Sequence, residues 1–570
     1  MASTARLPLA LLIDTLDDEY QVAVVRGAFS AARGLGVALL CVPGGRVRDP
    51  DAECAARNVV FNLVNAETVC GVVAVTSVIG SAIGPVQIEA WLKRFRGLSL
   101  CCVGVSIPGH VAIEVDNSGG IRELVLHLAQ EHERKHMAFV QGPAASAEAN
   151  VRFRAFRDAL EEAGLPFEPH LAVEGDFTKA SGRAAVRALL EDHRPPHQID
   201  AVVAANDYMA LGAIQELWQR HVEVPDVIAV VGFDDVDSSR FARPALTTAS
   251  QPTEQLGSHG VEAAFKIVEG QKSASAALAT KLVLRSSCGC SAAEVGLASS
   301  VAPSSMGRGV ETSFVQRRHA ILAEMVRAAA GRVGAAGSGW DVRLLDGLIG
   351  ELRGASSAGF CHALERILQK LEHAPVAGVI LQDVLTALRR QSLPCVSGEP
   401  SAREQLEATL NEARVLVSVF SEQAVERRAR TARERQRAFE SAMRSALFSD
   451  TAELSQAAAE TLPELGVDAC VVAALEQPND TAGGARLLFG FSAHDRIAVA
   501  SPTQINRLPA HPLLEHSGRL LVLLPLVAFG RALGAAVVAM SRVPGDELEQ
   551  FREFLGMALD MLRRVRDRGG

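Results

Sequence analysis

Short apolar runs alternate with amphipathic stretches through the first half of the chain. Leu9–Ile13, Val37–Val42, Gly71–Val75 and Leu100–Val105 are continuous hydrophobic segments, the pattern of strands buried on both faces of a parallel sheet. Between them Tyr20–Gly34 predicts a helix that stops at a glycine, and a second helix is predicted around Val86–Phe95. After Asp116, a helix over Ser118–Glu131 leads to a strand at Met137–Gln141, near which a second lobe is expected to begin. A helix over Ala147–Gly164 and a strand at His170–Val173 follow.

The densest pattern lies between Asp200 and Pro252. Two apolar runs, Ala201–Ala205 and Val227–Gly232, end in the polar pairs Asn206-Asp207 and Asp234-Asp235. Met209, Leu211, Ile214, Leu217 and Trp218 between them keep helical spacing, so the stretch predicts a βαβ unit. Ligands of open parallel sheets sit beyond the carboxyl ends of the strands, where Asn206 and Asp234 fall. On spacing alone, the alternative is that both residues simply end strands or cap helices.

The pattern changes in the second half. Residues 291–310 are rich in Ser, Ala and Gly and read as a linker. From Thr312 the spacing turns helical: Phe314–Arg332, Val342–Gly354, Phe360–Glu372 and Gly378–Gln391. A proline-free stretch follows Pro400, with an apolar seam of Leu406, Leu410, Val417, Phe420 and Ala424 and then the Arg-rich run Glu426–Arg437. Such a run is more often the wet face of a dimerising coiled coil than a nucleic-acid contact. The last part predicts a helix (Phe439–Leu462), strands at Ala469–Leu475, Arg486–Gly490, Leu520–Pro525 and Ala532–Met540, and a closing helix at Asp546–Arg566.

Composition narrows the function classes. A chain of 570 residues exceeds what one hydrophobic core spans, and 48% hydrophobic with 22% charged residues excludes wholesale disorder. The net charge of −9 gives no overall case for nucleic acid. Leu7–Ile13 runs directly into Asp14 without a small-residue cleavage site, so it reads as a strand rather than a signal peptide, and no segment has the length of a membrane span. A cytoplasmic protein with no membrane contact is expected. None of the ten cysteines forms a CxxC pair, and reduced core thiols are expected. Cys288-Gly289-Cys290 could start a metal site, but no second pair or histidine cluster lies nearby in sequence, so a strand end with small residues is the better reading and no metal or cofactor is expected.

Ala205-Asn206-Asp207, Val231-Gly232-Phe233-Asp234-Asp235 and Pro244-Ala245-Leu246-Thr247-Thr248 followed by Gln251 together resemble the ligand-binding core of the lactose-repressor family, over about residues 7–290. The resemblance implies an α/β, two-lobed type I periplasmic-binding-protein fold with parallel sheets. It implies ligand contacts at Tyr20, Arg152, Phe177, Asn206, Asp234 and Gln251: Arg152 as an anchor for hydroxyls or a carboxylate, the aromatics as platforms. Ala155 stands where that family usually has Gly. A sugar or nucleobase-like metabolite would suit this set, which holds no activated nucleophile. The order of elements in the last part is similar to a GAF domain, an α+β fold, although the signature of that family's cyclic-nucleotide binders is absent. A similar Cys-Gly-Cys ending occurs where such sensors are fused to signalling modules.

The expected layout is a ligand-binding module at 1–290, a linker at 291–311, a helical signalling segment at 312–438 and a GAF-like domain at 439–570. No P-loop, GxSxG or HExxH is present, so no enzyme is expected. No helix-turn-helix precedes the first strand, which argues against direct DNA binding. The expected function is a ligand-responsive regulator, a homodimer that relays lobe closure to a downstream signalling protein; a transcriptional regulator binding DNA through the helical middle is the alternative.

Overall fold

β1 (Leu9–Ile13) is buried at every position, and the elements around it arrange themselves to keep it so. In this computed structural model it is the central strand of the first lobe, between β2 (Leu39–Pro43) and β3 (Gly71–Val75), with β4 (Ser99–Val103) and β5 (Val111–Val115) beyond β3, all parallel. Helices α1 (Glu19–Gly34), α2 (Ala52–Arg57), α3 (Thr76–Ile79) and α4 (Gly84–Leu92) connect these strands. Asp18 caps α1 by accepting the Gln21 N–H. The structure describes the chain apart from residues 1–6, 192–198, 291–309, 330–332, 334–336, 354–358, 372–376, 447–450, 493–495, 498–500, 515–519, 544–546 and 570.

The second lobe repeats the plan. Its elements are α5 (Asn117–Glu131), β6 (Met137–Val140), α6 (Ala147–Glu162), β7 (Ala172–Val173), α7 (Lys179–Glu191), β8 (Ala201–Ala204), α8 (Asp207–Gln219), β9 (Ala229–Asp234), α9 (Asp237–Phe241) and β10 (Thr247–Ser250). The chain then returns to the first lobe as α10 (Thr253–Val268) and β11 (Ala276–Leu278), and crosses once more into β12 (Lys281–Val283), antiparallel to β10. The expectation of a second lobe starting near Met137 needs correcting: α5 already packs on α6 and on the second sheet. Its apolar stripe (Ile121, Leu124, Val125, Leu128) shows which face is buried, and a stripe does not say against which sheet.

Residues 435–570 belong to the same unit as residues 1–290. From Thr451 on, α16 (Thr451–Thr461) precedes β13 (Val467–Leu475), β14 (Ala485–Phe491), β15 (Arg496–Ile497), β16 (Ser501–Thr503), β17 (Leu520–Ala528) and β18 (Arg531–Met540), and α17 (Glu547–Gly569) closes the chain. These strands pair antiparallel in the order β17-β18-β13-β14, with β15 and β16 both on β14. β17 also lies parallel to β2, Leu520 opposite Leu39 and Val522 opposite Cys41, so both sheets are continuous as one of twelve strands. Cys470 is fully buried in β13, and burial pushes its thiol pKa up.

In the second unit, residues 291–434, the described residues are mainly helical. Most of the expected linker lies outside the described residues, and α11 begins at Val310 (Val310–Ala329). α12 (Trp340–Leu352), α13 (Gly359–Lys370), α14 (Ala377–Ser392) and α15 (Pro400–Ala446) follow. Leu406, Leu410 and Val417 of the predicted seam are buried in a core with Leu344, Leu364, Val384 and Leu388, so the seam's described neighbours are helices of the same chain. The Arg-rich run lies on α15, and its side chains fall outside the described residues. Among the described residues no helix is long and apolar enough to cross a membrane.

One buried ion cluster ties α17 to the first lobe. Glu549 accepts from Arg57 Nη2 at 2.9 Å, from Arg552 Nε at 2.6 Å and from the Leu16 backbone N–H at 3.2 Å. Burial works against its charge, but Arg57 and Arg552 outweigh it and hold the carboxyl below the usual glutamate range. Removing one partner of a buried pair typically costs about 3–5 kcal/mol, and Glu549→Ala is expected to destabilise this unit by about that much in urea unfolding. Because the folded pKa is depressed, Glu549's contribution is present above the unfolded pKa of about 4.3 and is lost as pH falls through the folded value. Unfolding midpoints of wild type and variant should therefore converge in acid.

Candidate functional site

Both lobes share one strand order, β2-β1-β3-β4-β5 in the first and β7-β6-β8-β9-β10 in the second. In each, connections leave in opposite directions from the strands that open the lobe, and ligands of such sheets bind outside the carboxyl ends near that point. Every residue singled out from the sequence lies on a segment that follows a carboxyl end. Tyr20 follows β1, Arg152 is on the helix after β6, Phe177 follows β7, Asn206 follows β8, Asp234 ends β9 and Gln251 follows β10.

Arg152 is the hub. It is buried, its Nε donates to Asn117 Oδ1 at 2.8 Å and its Nη1 donates to the Ala205 carbonyl at 2.7 Å. Its guanidinium lies 4.0 Å from the centroid of the Phe233 ring. Two carboxylates flank it at longer range, Asp234 at 3.8 Å and Glu148 at 3.9 Å. Burial raises the Asp234 pKa well above the usual carboxylate range, with Arg152 pulling it back, and raises that of Glu148 for the same reason.

Gln251 Nε2 donates to Asp234 Oδ1 at 2.5 Å. Its own Oε1, and Oε1 of Glu148, are buried and accept no hydrogen bond, so the cluster keeps spare acceptor capacity. Tyr20 comes from the other lobe. Burial raises its phenol pKa, and the carboxylates of Glu148 and Asp234 push it further, which places the ring within their field. The structure thus brings Arg152, Asp234 and Gln251 together, with Tyr20 near enough for Glu148 and Asp234 to act on its phenol.

Asn206 and Phe177 form a second pair. Asn206 caps α8, its Oδ1 accepting the Met209 N–H at 3.0 Å, while its Nδ2 donates to the Phe177 carbonyl at 3.1 Å. Both ends of the amide are therefore occupied within the protein. The Phe177 ring lies over Gly142, where a Cβ would come within 2.4 Å of it.

The backbone is strained at these points. Phe177 (φ 69°), Asp234 (φ 125°) and Asp235 (φ 61°) are non-glycine residues at positive φ. Such conformations cost of order 1–3 kcal/mol each and persist where the surroundings impose them, often at ligand sites. Asp207 supplies much of the restraint. It is fully buried and accepts from Thr248 Oγ1 at 2.6 Å, Ser239 Oγ at 2.7 Å and the Val236 N–H at 3.1 Å, which pins the loop after β9. Burial raises its pKa to about 6. Asp235 is held in turn by Arg285 at 2.6 Å.

Sequence reading missed Asn117, Glu148 and Asp207. Asn117 and Asp207 carry the signal used for Asn206, a polar residue at the end of an apolar run; Glu148 sits one helical turn before Arg152 and had no signal of its own. Also unforeseen is the contact between lobes at Glu19, whose N–H donates to Tyr208 Oη at 3.0 Å and whose carboxylate accepts from the Ser238 N–H at 2.9 Å and from its hydroxyl. Elsewhere, His127 and His132, remote in sequence, lie beside Cys288 and Cys290.

Residues 125–288 match the family model of a periplasmic binding protein-like domain. Over 145 residues the chain is 39% identical to the HTH-type transcriptional regulator CelR of Thermobifida fusca, a stretch covering 25% of this chain and 42% of that protein. It is 29% identical over 177 residues to the HTH-type transcriptional repressor CytR of Escherichia coli (strain K12), covering 31% and 51%. A solved structure of the transcriptional regulator CelR–cellobiose complex is similar at 26% identity over 50% of this chain and 86% of that one, with a TM-score of 0.43. The chain spans about half the length of the curated relatives it matches. Residues 125–288 thus carry a periplasmic-binding-protein-like domain similar to that of lactose-repressor-family regulators.

Asp207→Ala strands three buried donors, and an unsatisfied buried group costs about 1–3 kcal/mol. The variant is expected to lose at least about 2 kcal/mol by urea unfolding. The sign of its pH effect is opposite to that of Glu549. A carboxyl whose folded pKa is raised stabilises most below the unfolded value of about 3.9 and loses that contribution as pH rises towards about 6. The wild type's decline in stability over that window should be shallower in the variant.

Proposed function

We propose that residues 1–290 are the ligand sensor of a regulatory protein and that a small polar metabolite, a sugar or nucleobase-like compound, binds between the two lobes. The observation that carries this reading is the buried Arg152–Asp234–Gln251–Glu148 cluster at the carboxyl ends of the second sheet. It holds a fixed donor fork and unfilled acceptors, faced by Tyr20 from the first lobe. A polyhydroxyl or a heterocyclic edge would supply donors to Asp234, Glu148 and Gln251 Oε1. Phe177 and Tyr20 would cover its apolar face. Similarity to transcriptional regulators supports regulation over catalysis.

The relay follows from the same geometry. The loop that leads from β1 to Tyr20 is gripped at Leu16 and Thr15 by Glu549 of α17, at 3.2 and 3.3 Å. A ligand that prefers one arrangement of Tyr20 and the Glu19 contacts would shift that loop, and with it the GAF-like C-terminal part. Equal affinity for both arrangements would shift nothing. The output would pass to a partner protein, with the chain acting as a homodimer.

Thermal-shift measurements of the full chain against sugars, sugar phosphates, nucleosides and purines test the sensor. A true ligand at 100 times its Kd adds about 2.7 kcal/mol of stability. That gain is expected in wild type and is lost in Asp234→Asn, which retains a side-chain oxygen for Gln251. A series with no stabilising compound, or one that stabilises both proteins equally, would remove this assignment. For the relay, hydrogen exchange with the identified ligand should change protection in residues 547–569 as well as around Tyr20. Change confined to the sensor would leave the C-terminal part outside the response.

A further inference from the structure

We propose that His127, His132, Cys288 and Cys290 form a four-ligand site for a zinc-class divalent ion. His127 lies in the last turns of α5, and His132 is the residue at which that helix ends. Along a helix, residues five apart do not share a face. At His132, however, the backbone leaves the helix (φ −116°, ψ 3°), and both imidazoles come to one side. Cys288 and Cys290 arrive from the other end of the sensor, where Gly289 at φ +111° reverses the chain between them. A Cβ on Gly289 would also meet the His132 ring at 3.1 Å, so backbone and ring approach as closely as glycine permits.

Four of the six ligand–ligand distances are close to the edges of a tetrahedron around a metal. With Zn–N of about 2.0–2.1 Å and Zn–S of about 2.3 Å, tetrahedral edges are about 3.3–3.8 Å. His127 Nε2 and His132 Nε2 are 3.2 Å apart, Cys290 Sγ lies 3.4 Å from the first and 3.3 Å from the second, and Cys288 Sγ is 3.7 Å from His127 Nε2. All four ligand atoms lie within 4.8 Å of one another. Two thiolates neutralise a divalent ion, and a tetrahedral S2N2 set selects zinc over calcium or magnesium, which prefer oxygen.

The surroundings fit a structural site. Cys288 is fully buried, and Thr247 Oγ1 donates to its sulfur at 3.1 Å, the kind of outer contact that orients a thiolate ligand. Ser287 anchors the same turn by donating to the Val230 carbonyl at 2.5 Å and accepting the Thr247 N–H at 2.8 Å. With four protein ligands no coordination position stays open, so the ion staples rather than catalyses. It fastens the chain, at the last residues before 291, to the far end of the helix whose first residue, Asn117, holds Arg152.

The full-length chain, reduced and stripped of metal by chelator, is titrated with cobalt(II) and then zinc. One equivalent of cobalt is expected to give intense tetrahedral d–d bands and thiolate charge-transfer absorption, both abolished by one equivalent of zinc. In Cys290→Ser and His132→Asn, binding should weaken by roughly 100-fold or more, above the 10–100-fold usual for outer-sphere changes. Cys54→Ser, outside the cluster, should behave as wild type. A weak octahedral spectrum in wild type would overturn the proposal without reference to any variant. A tetrahedral spectrum unchanged by both cluster variants would overturn it too, because the metal would then sit on other cysteines.

Discussion

A guanidinium cannot discard its charge, so burying Arg152 dictates much of what surrounds it. Its donors need acceptors, and the fold provides them from separate places: Asn117 at the crossing between lobes, the Ala205 carbonyl at the end of β8, and two carboxylates at longer range. Those carboxylates are themselves expensive to bury and are only partly compensated at nearly 4 Å, which is why burial drives both pKa values up. The cluster is thus organised but not saturated. Such a balance suits recognition better than stability, since a fully paired network would have no acceptor left for a ligand.

The strain at Asp234 and Asp235 belongs to the same constraint. The carboxylate beside Arg152 at the end of β9 sits in a run of two consecutive residues at positive φ, a conformation that aspartate adopts more readily than most residues but still at a cost. Asp207 and Arg285 impose it from either side, through the Val236 N–H and the Asp235 carboxylate. Asp207 is therefore a positioning residue for the site even though its own oxygens are fully engaged.

How much of this could be read from the chain depends on the range of the interaction concerned. Strands such as Leu9–Ile13 and Ala201–Ala204 were legible because a strand buried on both faces is apolar at every position, a purely local requirement. Arg152, Asp234 and Gln251 were legible through a motif, and they do meet. Asn206 was read both ways, as ligand contact and as cap; its amide is committed to capping and to Phe177, and a ligand role for it rests on the resemblance alone. Glu148, the return of α10 to the first lobe, and the approach of His127 to Cys288 were not legible. Each is decided by which surfaces meet after the strands are ordered, and residue spacing along one element carries no record of that.

The same limit hid the most consequential feature of the C-terminal part. Its strands were predicted one by one from their apolar runs, with no indication that β17 would continue the first-lobe sheet. Yet the pairing answers a physical need. β2 is apolar and buried throughout, and its free edge would expose a row of unpaired N–H and C=O groups, the sort of edge that natural sheets cover. β17 covers that edge in parallel register, and Glu549 on the following helix reaches the loop after β1. Backbone pairing and buried charge thus converge on one side of the first lobe, beside the loop that leads from β1 to Tyr20. The carboxylate that holds Leu16 also pairs with half-buried Arg57 and buried Arg552, so the loop after β1, the first lobe and the closing helix share one charged contact.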